Sequence, residues 1–186
     1  NIEGYLVLDK CIYSYDMKQL IYVDSNIRGE FVVPEGIQEI SAYAFGNCEN
    51  IMEVILPSSL LKIENYAFEK CLNLKAIEIP DSTTLIGDYA FSGCNNLENI
   101  LLSTNLTYLG IGAFQYCESI AEIVVPSSLE IIENYTFSGC INLNTITLLE
   151  GLKIIGSGAF RNCDNLVEIT IPNGVEKIDN IFFQCD

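Results

Sequence analysis

The residue types in this chain that could do chemistry are eight cysteines and 25 aspartates and glutamates, and histidine is absent. Without an imidazole there is no Ser-His-Asp or Cys-His nucleophile, and most zinc sites lose a usual ligand. Catalysis would rest on carboxylates alone, and a carboxyl general acid or base needs a pKa raised by burial or by a like-charged neighbour. Glu53, Glu78, Glu122 and Glu168 belong instead to a regularly repeated polar surface, where no pair has a reason to be desolvated. The chain is therefore expected not to be an enzyme, with no catalytic residue, no cofactor and no metal site.

The cysteines lead to the architecture. Cys48, Cys71, Cys94, Cys117, Cys140 and Cys163 are each 23 residues from the next. Phe45, Phe68, Phe91, Phe114, Phe137 and Phe160 keep the same step three places earlier, and Phe183 continues it. Ala44, Ala67, Ala90, Ala113 and Ala159 precede the phenylalanines, with Thr136 the exception. One such unit cannot bury its apolar residues alone, so a fixed step of this kind means stacked units. Stacking puts neighbouring cysteines about 4.8 Å apart with parallel side chains, whereas a disulfide needs Cβ atoms near ~3.8 Å and converging. Ligands in a row also fail to converge on one metal ion. Buried free thiols are expected, while Cys11 and Cys185 lie outside the column and stay undecided.

The remaining apolar positions keep the step. Ile51, Leu74, Leu97, Ile120, Leu143 and Leu166 open a segment that continues through Val54, Ile77, Ile100, Ile123, Ile146 and Ile169. It closes on Leu56, Ile79, Leu102, Val125, Leu148 and Ile171, giving L-x-x-I-x-I, the leucine-rich-repeat strand. Pro57, Pro80, Pro126 and Pro172 end that strand by withholding an N–H, with Ser103 and Leu149 in two units. A second apolar run, ending on Ile63, Ile86, Leu109, Ile132, Ile155 and Ile178, predicts a short extended piece. The Y-A-F-x-x-C segment after it predicts a tight helical or 3₁₀ turn that drops Phe and Cys inside. Asn50, Asn73, Asn96, Asn142 and Asn165, with Ser119 in the remaining unit, predict a hydrogen-bonded ladder between turns. Tyr43, Tyr66, Tyr89 and Tyr135, with Gly112 and Gly158, form either packing between turns or a contact stripe.

The expected fold is a right-handed leucine-rich-repeat solenoid with a parallel β-sheet on one face and short extended, 3₁₀ or helical turns on the other. Residues 31–186 make about six 23-residue units, the last left incomplete at Phe182, Phe183 and Cys185. Residues 1–30 make an N-terminal capping segment. The alternation in Tyr5–Leu8 and Leu20–Val23, separated by Asp16–Gln19, predicts a hairpin placed to cover the first unit.

The unit from Ile63 to Pro80, IENYAFEKCLNLKAIEIP, resembles the BspA-like (treponemal-type) leucine-rich repeats, and the resemblance covers roughly residues 31–186. It implies a secreted or cell-surface protein of a host-associated bacterium or a parasitic protist, of a kind linked to adhesion to host proteins. It brings no catalytic residues.

Nine basic residues against 25 acidic ones leave a net charge of −16, which repels nucleic acid and anionic lipid headgroups. There is no run of about 18 apolar residues and no basic-then-apolar leader, so no membrane insertion is expected. An opening on Asn1 rather than Met reads as a fragment or mature form. The expected role is an extracellular or cell-surface binding module whose partner is a protein, a host extracellular or surface protein among the candidates. The alternative is a structural spacer that presents other domains of a larger surface protein. In the L-x-x-I-x-I strand the residues flanking the second apolar position point outward. These are Glu53, Ile55, Ala76, Glu78, Asn99, Leu101, Glu122, Val124, Thr145, Thr147, Glu168 and Thr170, the candidate partner-binding face. Apolar Ile55, Leu101 and Val124 among acidic residues suit an interface core with a charged rim, although sheet propensity also favours β-branched residues there.

Overall fold

The computed structural model describes residues 4–181 and contains sixteen short strands among them. In chain order these are β1 (Tyr5–Leu8), β2 (Cys11–Ser14), β3 (Gln19–Val23), β4 (Gly29–Val32), β5 (Glu39–Ile40), β6 (Ile51–Ile55), β7 (Lys62–Ile63) and β8 (Ala76–Glu78). There follow β9 (Leu85–Ile86), β10 (Asn99–Leu101), β11 (Tyr108–Leu109), β12 (Glu122–Val125), β13 (Ile131–Ile132), β14 (Thr145–Leu148), β15 (Ile154–Ile155) and β16 (Lys177–Ile178).

Each 23-residue unit is one coil of a solenoid. Strands carrying the L-x-x-I-x-I pattern pair in parallel from coil to coil, in the orders β4-β6-β8-β10 and β12-β14, and make the first face. The second apolar run was expected to be merely extended. It forms a second parallel sheet, β3-β5-β7-β9-β11 and then β13-β15-β16, because its backbone groups meet the same partners one coil away. Both sheets are interrupted at the same place, between β10 and β12 and between β11 and β13.

The third side is the Y-A-F-x-x-C segment, and among the described residues it holds no helix, contrary to the expected helical or 3₁₀ turn. Tyr43, Tyr66, Tyr89 and Tyr135, and four places on Asn47, Lys70, Tyr116 and Asn162, have φ between 54° and 60°. A left-handed residue at every fourth position breaks the uniform right-handed twist a helix needs. The N–H groups of Ala44, Gly46 and Cys48 donate to carbonyls three residues back, whereas those of Tyr43, Phe45 and Asn47 donate to Asn65, Ala67 and Glu69 in the next coil. Successive donors thus alternate between closing the turn and tying coils together.

Inside, the phenylalanine rings stack face to face, from 4.6 Å between Phe45 and Phe68 to 5.8 Å between Phe137 and Phe160. The cysteines are thiols at Cys48, Cys71, Cys94, Cys117 and Cys140, and so is Cys11 in β2, which settles the position the sequence left open. Each thiol from Cys71 to Cys163 donates to the carbonyl of the phenylalanine one coil earlier, at 3.1–3.2 Å. Burial pushes Cys48 up to about 12 and moves Cys94, Cys117 and Cys140 in the same direction. The asparagine ladder forms as Asn73 to Glu49 O, Asn96 to Asn73, Asn142 to Glu118 O and Asn165 to Asn142. The tyrosine column packs between turns. Tyr43, Tyr66 and Tyr89 stack at 4.9 and 5.2 Å, and the Tyr89 ring covers Gly112, where a Cβ would lie 2.5 Å from it.

The N-terminal segment holds one strand more than the single hairpin expected. β1 pairs antiparallel with β2, and β2 antiparallel with β3, which starts the second sheet. The unforeseen strand β2 exists because Asp9 and Lys10 both take positive φ and make a two-residue hairpin turn without the Asn or Gly that usually signals one. At the other end residues 166–171 form no strand, so Glu168 and Thr170 are not on the sheet as expected. Phe182, Phe183 and Cys185 lie outside the described residues.

Candidate functional site

The alternation that built the first face also decides what it shows. Val54, Ile77 and Ile123 are buried, while Ile55, Leu101 and Val124 are 44, 60 and 54 % exposed. Within each block of paired strands the parallel register lines the outward residues into two columns, and the same repeat positions continue across the break between β10 and β12. One column is Glu30, Glu53, Ala76, Asn99, Glu122 and Thr145; the other is Val32, Ile55, Glu78, Leu101, Val124 and Thr147. Neither holds a lysine or arginine.

A groove of about 530 Å³ opens on this face over β6, β8 and β10, with Glu122 of β12 at its far end. Ala76 sits at its floor between Glu53 and Asn99 in the same column, and its single methyl leaves the hollow that a longer side chain would fill. Of the expected face, Glu53, Ile55, Ala76, Glu78, Asn99, Leu101 and Glu122 come together around the groove. Val124, Thr145 and Thr147 are exposed on the same face beyond it, and Glu168 and Thr170 fall past the last paired strand of that face. Glu98 and Pro80 also line the groove and were not foreseen. Glu98 lies one place before the alternating pair, in line with Met52 and Lys75, so only the width of the groove brings it in.

A smaller cavity of about 350 Å³ lies on the second sheet, where β11 and β13 fail to pair, lined by Thr107, Tyr108, Ser128, Glu130, Ile131 and Glu133. Tyr108 donates to Asp88 at 3.0 Å, and partial burial, reinforced by that carboxylate, pushes its hydroxyl up to about 12. Among the described residues no three His, Cys, Asp or Glu side chains are grouped to hold a metal ion.

The sequence model of the BspA type leucine rich repeat region matches the chain in six copies, over residues 21–140 and 111–186. The chain belongs to the BspA-type leucine-rich-repeat family. Solved structures share the fold. The leucine-rich repeat protein of T. pallidum is 23% identical with a TM-score of 0.73, covering 89% of each chain. A leucine-rich repeat protein of Eubacterium ventriosum is 24% identical with a TM-score of 0.84, over 97% of this chain and 49% of its own. A leucine rich cell surface protein of Faecalibacterium prausnitzii is 21% identical with a TM-score of 0.72, over 89% of this chain and 54% of its own. The chain thus spans about half the length of the last two. No curated protein matches it. The BspA-type solenoid is an interaction scaffold, not a typical enzyme fold: stacked coils hold an extended, ordered face rather than a deep enclosed pocket.

Proposed function

We propose that this BspA-type chain is the binding module of a secreted or cell-surface bacterial protein, and that it engages a protein of the host or of a neighbouring cell through the first face. The observation that carries this reading is the groove over Ala76, flanked by exposed Ile55 and Leu101 and rimmed by carboxylates. Apolar residues held out of a sheet lose water contact only when a partner covers them, and interfaces concentrate their energy in such central positions. A surface location is supported by the name of the Faecalibacterium relative, a leucine rich cell surface protein. No helix among the described residues is long and apolar enough to cross a membrane.

The test is retention from host extracellular-matrix and mucosal extracts on immobilised chain. A protein held saturably by the native chain should be held about 5–30-fold more weakly, or ~1–2 kcal/mol, by Leu101→Glu and Val124→Glu. Tyr66→Ser and Tyr89→Ser, on the third side, should leave binding in place. Binding that survives the strand-face changes and falls with the tyrosines would move the functional surface to that side. Repeated absence of any saturable partner would favour the spacer reading, to which the greater length of two relatives lends support.

A further inference from the structure

We infer that the groove on the first face is built for a basic, extended segment of the partner protein, with apolar side chains seated on Ile55 and Leu101 and Lys or Arg side chains between and beyond them. This rests on the reading that the first face is the docking surface.

Four carboxylates, Glu53, Glu78, Glu98 and Glu122, line the groove, and no cation does. Several acidic side chains elsewhere in the molecule are used internally. Glu130 pairs with Lys153, Asp81 accepts from Thr104, Asp88 accepts from Tyr108 and Ile111, and Glu35 accepts from Ser58. Among the described residues the four groove carboxylates have neither an ion pair nor a side-chain hydrogen bond. A row of carboxylates with no internal partner repels itself, and that repulsion is relieved by a cationic ligand.

The spacing limits the shape of that ligand. Coils repeat about every 4.8 Å, so Ile55 and Leu101, two coils apart, are separated by roughly 10 Å, about one three-residue turn of a polyproline-II-like extended chain, which returns every third side chain to the same face. Glu78 stands between them in the same column, and Glu53 and Glu122 stand at the two ends of the groove. A cation between two apolar residues would reach Glu78, and cations at the ends would reach Glu53 and Glu122. A second copy of the chain does not fit, because it would bring the same acidic columns and a net charge of −16. Nucleic acid and anionic lipid fail for the same reason.

The test uses the whole chain and four synthetic nine-residue peptides that carry one residue type at every third position and another at the two between: leucine with lysine, leucine with serine, serine with lysine, and leucine with glutamate. The lysine–leucine peptide should bind saturably and at least about tenfold more tightly than the other three, and its affinity should fall at least about tenfold between 50 and 300 mM salt. Glu78→Gln with Glu122→Gln, or Leu101→Ser alone, should weaken it at least about tenfold. Glu64→Gln with Glu150→Gln removes the same charge away from the groove and should change little. Urea midpoints establish that each variant is folded. Equal loss in the two double variants would mean attraction by net charge, and the inference fails. Equal binding of serine–leucine, still lost with Leu101→Ser, would overturn the basic ligand while leaving the docking face standing. Peptide binding that no groove change alters would bring down both.

Discussion

The coil carrying β12 and β13 has two neighbours built from the same repeat, and it joins them differently. Towards β14 and β15 it is bonded on every side. Thr145 N–H donates to Ala121 O, Ile154 N–H to Glu130 O and Gly156 N–H to Ile132 O, and both strand pairs are in register. Towards β10 and β11 the equivalent N–H groups of Glu122, Ile131 and Glu133 find no acceptor across the seam, and neither strand pairs. The third side stays closed, where Gly112, Phe114 and Tyr116 donate to Asn134, Thr136 and Ser138 and the Cys140 thiol donates to Phe114 O, and two corners keep a tie, from Ser119 N–H to Asn95 O and from the Ser128 hydroxyl to Leu106 O.

The difference falls where two side-chain ladders lapse. Asn65 accepts from Asp88 N–H, Asp88 from Ile111 N–H and Asn134 from Ser157 N–H, but Ile111 has no side-chain acceptor to offer the next coil. The asparagine ladder runs from Asn73 to Asn96 and again from Asn142 to Asn165, and Ser119 stands in the gap. Apolar packing, with Phe114 fully buried, and the third-side hydrogen bonds keep the coils stacked, and the sheets open where the polar clamps are missing. The groove ends at this seam, with Glu122 on its far bank.

The largest expected effect treats both interfaces alike. The folded thiols of Cys48, Cys71, Cys94, Cys117 and Cys140 have raised pKa values, so they keep their protons at a pH where unfolded thiols lose them. Their contribution is fully present below the unfolded thiol value near ~8.5 and is lost as pH rises above it, by up to about 1.4 kcal/mol per pH unit for each thiol. Urea midpoints should be flat from pH 6 to 8 and fall steeply by pH 10, in one transition because the thiol column crosses the seam. Two transitions would mean that the seam divides the molecule into separate cooperative units.

Next come cavities. Phe68, with neighbouring rings at 4.6 and 4.9 Å, should cost about 3–5 kcal/mol on replacement by Ala. Phe114, with rings at 5.3 and 5.8 Å and two open sheets beside it that let the coils close over the gap, should fall at the low end of that range. Equal costs from urea unfolding would count against a seam that relaxes.

Hydrogen exchange reads the seam directly. The amides of Glu122, Ile131 and Glu133 should exchange at least about 100-fold faster than those of Thr145, Ile154 and Gly156, the same repeat positions one coil on. Comparable protection would mean that the two sheets are continuous in solution. The smallest effect is a repair: Ile111→Asn with Ser119→Asn should add roughly 0.5–1.5 kcal/mol for each clamp restored and slow exchange at Glu122. A variant no more stable than the native chain would separate the lapsed ladders from the open sheets.

The sequence by itself determined what repeats. A 23-residue step carried by phenylalanine, cysteine and the L-x-x-I-x-I strand dictates stacked coils, a buried thiol column and a ladder of asparagines, because each of these needs only a residue type at a fixed period. It also placed Ile55, Leu101 and Val124 outward, since side chains alternate along any strand. What only the tertiary structure decided depends on how coils meet. Beside the asparagines and glycines that signal positive φ, the left-handed turns also fall on tyrosines and a lysine, which carry no such local signature and are held there by hydrogen bonds with the neighbouring coil. The hollow over Ala76 exists because residues 23 apart become neighbours across a sheet, so a missing side chain in one coil is a cavity among three. The seam likewise belongs to no single residue: Ile111 and Ser119 look like ordinary variation until stacking sets both beside the same unpaired strands.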